Sequence, residues 1–165
     1  MGKEKTMKII KAEIGHADIV GQVHSRAWKQ AYADMFPEEY LCADTPEKRT
    51  QEFLESCNNK DVHYFLLYSG EKAIGIVKVI CVDAERCEIS SFYILDEYRN
   101  KGYGKQVVIY LRNVFDKAKI QLWVLEKNRR ARRFYENNGF INTGKTRSIS
   151  RGNNYTQFQY ELINT

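Results

Sequence analysis

The sequence predicts one α/β domain, a mixed sheet of about seven strands with helices on its faces. Three observations predict it. Short apolar stretches alternate with amphipathic stretches of helical period, in the order β-α-α-β-β-β-α-β-α-β-β. A chain of 165 residues, 43% hydrophobic and 28% charged, can bury a core and is most simply one domain. Eleven tyrosines and only two prolines argue against long disordered tracts. No repeat or linker divides the chain, so residues 7–165 are read as the domain and 1–6 as a flexible extension, with Met7 a second candidate start.

The elements follow in order. Met7 to Ala12 reads as a strand. Asp18 to Met35 reads as a helix, with Ile19, Val23, Ala27 and Ala31 at steps of four. Phe36-Pro37 breaks it, and Glu38 to Leu41 reads as a turn of helix. Thr45 is an N-cap with Pro46 at the first helical position, opening a helix to about Cys57. Strands follow at His63 to Tyr68, Ala73 to Val82 and Cys87 to Leu95, joined by tight turns. Lys105 to Lys117 is a helix burying Val107, Val108, Leu111, Val114 and Phe115. Ile120 to Leu125 is a short strand. Asn128 caps a helix that Gly139 closes. The last hairpin pairs Thr143 to Ile149 with Tyr155 to Ile163. Its second arm alternates, with Thr156, Phe158, Tyr160 and Leu162 on one face and Gln157, Gln159 and Glu161 on the other.

The turn between the fourth strand and the next helix carries the most information. It reads Arg99-Asn100-Lys101-Gly102-Tyr103-Gly104-Lys105. A glycine-rich turn before a helix leaves backbone N–H groups free to meet an anion. Three cations at a helix start oppose the macrodipole, and a bound anion would reverse that penalty. The turn is therefore read as a pyrophosphate cradle, the alternative being an ordinary glycine turn with solvated cations. A second helix start, Asn128 to Arg133, repeats the pattern with Arg129, Arg130, Arg132 and Arg133; two of these four are expected to be simply solvated.

Charge agrees with a localised anionic ligand. The net charge is +5, yet residues 99–133 hold 11 Lys/Arg against Asp116 and Glu126, while the rest holds 15 basic and 19 acidic residues. A nucleic-acid-binding module would interleave aromatics with these charges on an exposed sheet. Here Tyr103, Tyr110, Phe115 and Trp123 sit at positions that suit core packing, so no nucleic-acid partner is expected.

Other signals are set aside. Gly139 to Thr146 matches the P-loop pattern letter for letter, but a helix precedes it and an alternating strand follows, the wrong context for a phosphate loop. Cys42, Cys57, Cys81 and Cys87 form no C-x-x-C pair, and His16, His24 and His63 are scattered. Free thiols and no metal site are expected. Met1 to Met7 is polar with no apolar run behind it, and no stretch reaches bilayer length. The expectation is a cytoplasmic protein with no membrane partner.

Two segments, in order, carry a family resemblance. Arg99-Asn100-Lys101-Gly102-Tyr103-Gly104 fits the coenzyme A loop Q/R-x-x-G-x-G/A, and Asn128, Ala131, Phe134, Tyr135, Gly139 and Phe140 fit N-x-x-A-x-x-F-Y-x-x-x-G-F. On these the chain resembles the GNAT superfamily of N-acetyltransferases over most of its length. Val23 to Trp28, Tyr32 and Pro37 to Leu41 also resemble a bacterial branch that includes polyamine acetyltransferases. Asp96 departs from the proline that the superfamily often has at this position.

The resemblance implies direct attack of a primary amine on acetyl-coenzyme A, with no metal. Main-chain groups of Phe92, Tyr93 and Ile94 would line the pantetheine arm. The loop Arg99, Asn100, Lys101, Gly102, Tyr103, Gly104 and Lys105 would take the pyrophosphate, helped by Arg132, and Asn128 would bond the arm. An N–H near Ile94 would meet the oxyanion. Tyr135 would protonate the leaving thiolate. Glu88 is the candidate base, since an ordinary alkylamine with a pKa of about 10.4 must lose a proton first; a solvated strand glutamate is the alternative. Trp28, Tyr32 and Phe36, with Glu38 and Glu39 nearby, are the candidate acceptor pocket, suited to a cation. The acceptor is a small amine or a peptide, and the C-terminal hairpin offers an edge for a homodimer.

Overall fold

The computed structural model describes residues 6–162. The expected extension therefore lies, but for Thr6, outside the described residues, as does Ile163. Seven strands form one sheet: β1 (Met7–Lys11), β2 (Val62–Ser69), β3 (Lys72–Cys81), β4 (Arg86–Ile94), β5 (Lys119–Leu125), β6 (Phe140–Ser150) and β7 (Asn154–Leu162). Their spatial order is β1-β2-β3-β4-β5-β7-β6. The helices are α1 (Ala17–Tyr32), α2 (Glu38–Ala43), α3 (Pro46–Ser56), α4 (Tyr103–Val114) and α5 (Arg129–Asn137). The expected order holds, except that α2 is a helix in its own right, giving three helices before β2.

Local chemistry accounts for the ends. Thr45 accepts a hydrogen bond from the Lys48 N–H and Asn128 accepts one from the Ala131 N–H, both as N-caps. Gly139 closes α5 with φ +90°. Phe140 begins a strand, so the P-loop-like residues lie in β6 and its bulge between Asn142 and Thr146, as their context required.

The central strands of the sheet are buried on both faces. Tyr64 and Leu66 of β2 pack under α1 and α3 with Val20, Val23, Ala27 and Phe53, while Phe65 and Leu67 turn to the other face with Val107, Leu111, Ile120 and Tyr160. Successive strand residues point to opposite faces, so a central strand covered twice is apolar throughout. Val114, expected in the core, is 45% exposed: it ends α4 outside the buried stripe of Val107, Val108 and Leu111. Cys81 and Cys87 face each other across the β3–β4 hairpin and are joined as a disulfide, which corrects the expectation of four free thiols. Cys42 and Cys57 remain free. Among the described residues no helix is long and apolar enough to cross a membrane.

The feature that positions the site is a parting of the sheet. β4 and β5 run parallel and pair at only three positions, Arg86 with Lys119, Cys87 with Ile120 and Glu88 with Gln121. Beyond Glu88 they diverge. On its other side β4 stays paired with β3 to Ile94, with Ser90 as an extra residue where the register shifts. Leu95 N–H donates to the Ile74 carbonyl. Backbone direction alternates along a strand, so the N–H groups of Ile94 and Phe92 face the gap. Gly75 lets the strands meet there, since a Cβ would lie 2.6 Å from the Tyr93 carbonyl oxygen.

Candidate active site

The parted strands open into one cleft of about 1380 Å³. One end is built from backbone. Phe92, Tyr93 and Ile94 line it from β4; Arg99, Asn100, Gly102, Tyr103, Gly104 and Lys105 line it from the loop and the start of α4; Asn128 lines it from the start of α5. The loop bends through Asn100 (φ +59°) and Gly102 (φ +80°), both left-handed. Gly104 brings the two helix starts together. A Cβ there would stand 2.7 Å from the ring of Phe134 in α5. Two helix N-termini thus converge on one end of the gap.

Two expected residues do not join it. Lys101 stands over the Tyr98 ring, its Nζ 5.5 Å away, and is not on the cleft wall. Arg132 is drawn away by its own contacts: Nε donates to the Tyr160 hydroxyl at 3.2 Å, Nη1 to the Glu126 carbonyl at 3.0 Å, and the guanidinium lies 4.7 Å over Phe158. Arg130, two residues earlier, lines the cleft instead. Arg99 is on the wall but anchored, donating from Nε to the Ile94 carbonyl at 3.1 Å and pairing with Asp96 at 2.9 Å. Asn128 spends Oδ1 on its cap, leaving its amide nitrogen for a ligand.

The middle of the cleft holds the proton-handling groups. Tyr135 lines it, packed on Phe134 and Phe140 at ring distances of 5.3 Å. Of the adjacent aromatics Tyr135 is the buried one, and Phe134 rests half-buried on Gly104. Burial first, then the Tyr32 hydroxyl, pushes the Tyr135 phenol up, so it stays protonated. Tyr93 is raised by the same two causes and by Tyr135, and its hydroxyl lies 3.2 Å from that of Tyr32. Glu88 lines the cleft where the strands part. Burial raises its carboxyl above the ordinary range, and Arg147 partly opposes this.

The other end is built from side chains. Trp28, Tyr32 and Phe36 all line it, with Tyr32 stacked on Phe36 at 4.6 Å and Phe36 against Tyr155 of β7 at 5.1 Å. Tyr155 donates to the Met35 carbonyl, tying the hairpin to the end of α1. Glu38 and Glu39 are exposed and off the wall, because the face of α2 turned inward carries Tyr40 and Ala43. The carboxylates that do line the wall include Asp44, Glu52 and Glu88. Arg49 pairs with Asp44 at 2.7 Å and Glu52 at 3.0 Å, and Lys78 pairs with Glu52 at 3.0 Å. Trp123, expected in the core, lines the wall beneath Arg147, whose guanidinium lies 4.4 Å from its ring centre. Sequence reasoning missed Arg49, Glu52, Lys78 and Arg147. The three-residue spacing of Arg49 and Glu52 on one helix face was the one local signal.

A parted sheet with two helix starts at one end and an aromatic wall at the other is the architecture of a coenzyme A-dependent acyl-transfer enzyme. Known proteins agree. Residues 25–140 match the model of the Acetyltransferase (GNAT) family, and the chain belongs to that family. A spermidine N(1)-acetyltransferase of Thermoplasma acidophilum is 26% identical over 143 residues, 82% of this chain and 88% of its own length. The crystal structure of PaiA N-acetyltransferase from T. acidophilum in complex with coenzyme A has a TM-score of 0.74 at 22% identity, covering 95% of this chain and 98% of that one. A spermidine N-acetyltransferase from Vibrio cholerae, in complex with CoA and spermine, has a TM-score of 0.73 at 16% identity over 96% and 95% of the two chains. This chain is an acetyl-coenzyme A-dependent N-acetyltransferase.

Proposed function

We propose that the protein acetylates a primary amine of a small molecule by direct attack on the thioester. The observation that carries this is the gap between β4 and β5, which presents unpaired Phe92 and Ile94 N–H groups between two helix starts and an aromatic wall. The amine nitrogen bonds the carbonyl carbon, the C–S bond breaks and sulfur leaves as thiolate. An ammonium loses two protons in becoming an amide. One ends on the thiol and the other goes to solvent.

The chain's own groups meet each need. Backbone N–H groups from Asn100 to Lys105 grip a diphosphate. The Ile94 N–H meets charge developing on the carbonyl oxygen. Glu88, ionised, takes the amine's proton directly or through water, and Tyr135, held protonated, gives a proton to the leaving thiolate. Polyamines, named for the relatives, are one acceptor of this class; a protein lysine or N-terminus is another. Calorimetry with coenzyme A, followed by free-thiol release from acetyl-coenzyme A over an amine panel, tests the reading. No uptake of coenzyme A at millimolar levels overturns it. A thermal shift with an oligonucleotide and none with coenzyme A would favour a nucleic-acid module.

A further inference from the structure

Much of the charge at the acceptor end of the cleft is already paired within the protein. Its Asp44 and Glu52 carboxylates are already paired with Arg49 and Lys78. The face of Trp28 already carries a cation, the Arg49 guanidinium at 5.5 Å. Glu38 and Glu39 point elsewhere. Asp34 on the wall and Asp44 Oδ1 remain without a partner among the described residues, yet a chain with several ammonium groups would also meet the fixed cations Arg49, Lys78, Arg147 and Arg151.

Glu88 and Arg147 are arranged differently. Both sit on the face of the sheet that looks toward α1 and α3. Glu88 is level with Gln121, Trp123 follows Gln121 on the same face of β5, and Arg147 covers Trp123. Arg147 is held in place, its Nε donating to Gln157 at 2.7 Å. Its Nη groups make no hydrogen bond among the described residues, and it forms no ion pair with Glu88. The two interact through the field across the cleft without touching. Arg151, in the β6–β7 turn, adds a second cation on the same wall, close enough to lower Arg147.

We infer that the acceptor is an amine that also bears a carboxylate, an amino-acid-like molecule whose nitrogen lies toward Glu88 and whose carboxylate is received by Arg147 over Trp123. This rests on the acetyltransferase reading and narrows its substrate class. A planar guanidinium with free Nη groups, fixed by stacking and by Gln157, matches a carboxylate in two-point geometry. One zwitterion serves both Glu88 and Arg147, whereas a diamine serves Glu88 and confronts Arg147. The acetyl transfer is the step already written, and the carboxylate takes no part in it.

The test uses matched acceptors: each ω-amino acid against its amide and against the diamine of equal length, and an α-amino acid against its amide, all read by thiol release. The acid form should exceed its amide by about tenfold or more in kcat/KM, chiefly through KM. Arg147→Gln should bring that ratio close to one, and Arg147→Lys should recover part of it. Coenzyme A binding by calorimetry verifies that each variant is folded. Equal rates on acid and amide, faster turnover of the diamine, or no turnover of any carboxylate-bearing amine by protein that binds coenzyme A overturns the inference. Failure to bind coenzyme A instead overturns the acetyltransferase reading beneath it.

Discussion

The two ends of the cleft are made of different material. The coenzyme A end is backbone: a strand edge that β5 leaves unpaired beyond Glu88, a left-handed turn and two helix starts. Its specificity needs small residues at close approaches and few particular side chains. The acceptor end is side chains drawn from α1, α3, β3, β4, β5, β6 and the β6–β7 turn, with charges paired across elements. The first kind of site survives most substitutions that spare its glycines. The second can be retuned by changing one charge, which is how one fold serves many acceptors.

The largest expected effect falls where the two ends meet. Glu88→Gln should lower kcat by about 10²–10⁴-fold if the carboxylate is the base, while calorimetry reports coenzyme A affinity unchanged. Burial raises this carboxyl, so the wild-type rate should climb with pH through a value above the ordinary carboxylate range, and that limb should vanish in the variant. A variant that keeps both rate and limb would assign the deprotonation to water alone. Next is Tyr135→Phe, which removes a protonated phenol and keeps the ring on Phe134 and Phe140. A fall in kcat of about a hundredfold, near the low end for proton transfer, with KM for both substrates unaltered, is the outcome that keeps Tyr135 as the acid.

The same division explains what could be read from the sequence. The loop from Arg99 to Lys105 and the Asn128 cap are local patterns, with each residue's role set by neighbours a few positions away. The strands, with their alternation and turn residues, were legible for the same reason. Arg132 and Lys101 were read as ligands because they sit at helix starts, but Arg132 is turned by a long-range partner, Tyr160, and Lys101 by the nearby Tyr98 ring. The pairing of Lys78 with Glu52 joins β3 to α3, and Arg147 comes to face Glu88 only after β4, β5, β7 and β6 have assembled. Nothing in local spacing announces such contacts. The Cys81–Cys87 bond was missed because the pair becomes adjacent only in the hairpin register.

A gentler probe tests the backbone end. Gly104→Ala places a methyl against the Phe134 ring, 2.7 and 2.8 Å from its nearest carbons. Overpacking of this kind costs about 1–3 kcal/mol. It should push the two helix starts apart and weaken coenzyme A by about tenfold, leaving the ratio of acceptor rates untouched. Phe134→Leu in the same chain should recover part of the loss. If the acceptor preferences move together with coenzyme A affinity, the two ends are not separable.

The smallest expected effect concerns pH and the acceptor wall. His24, on α1 behind that wall, is buried against Tyr93 of β4, with Arg49 and Glu52 of α3 and Lys78 of β3 around it, and its Nε2 has no partner among the described residues. Burial, then the Arg49 charge, lowers it from 6.5 to about 3. The unfolded chain takes up this proton near its ordinary value and the folded one does not. Between pH 6.5 and about 3 the unfolded state therefore binds more protons, and stability falls as pH falls through that window. The slope from this one group is at most about 1.4 kcal/mol per pH unit. Denaturant midpoints of the wild type and His24→Gln, compared from pH 7 to 4, measure it, and the variant should show the shallower decline. The backbone end contains nothing equivalent to titrate. Mild acid should accordingly raise KM for the acceptor before it weakens coenzyme A; the reverse order would mean that His24 and its charged neighbours do not support the wall.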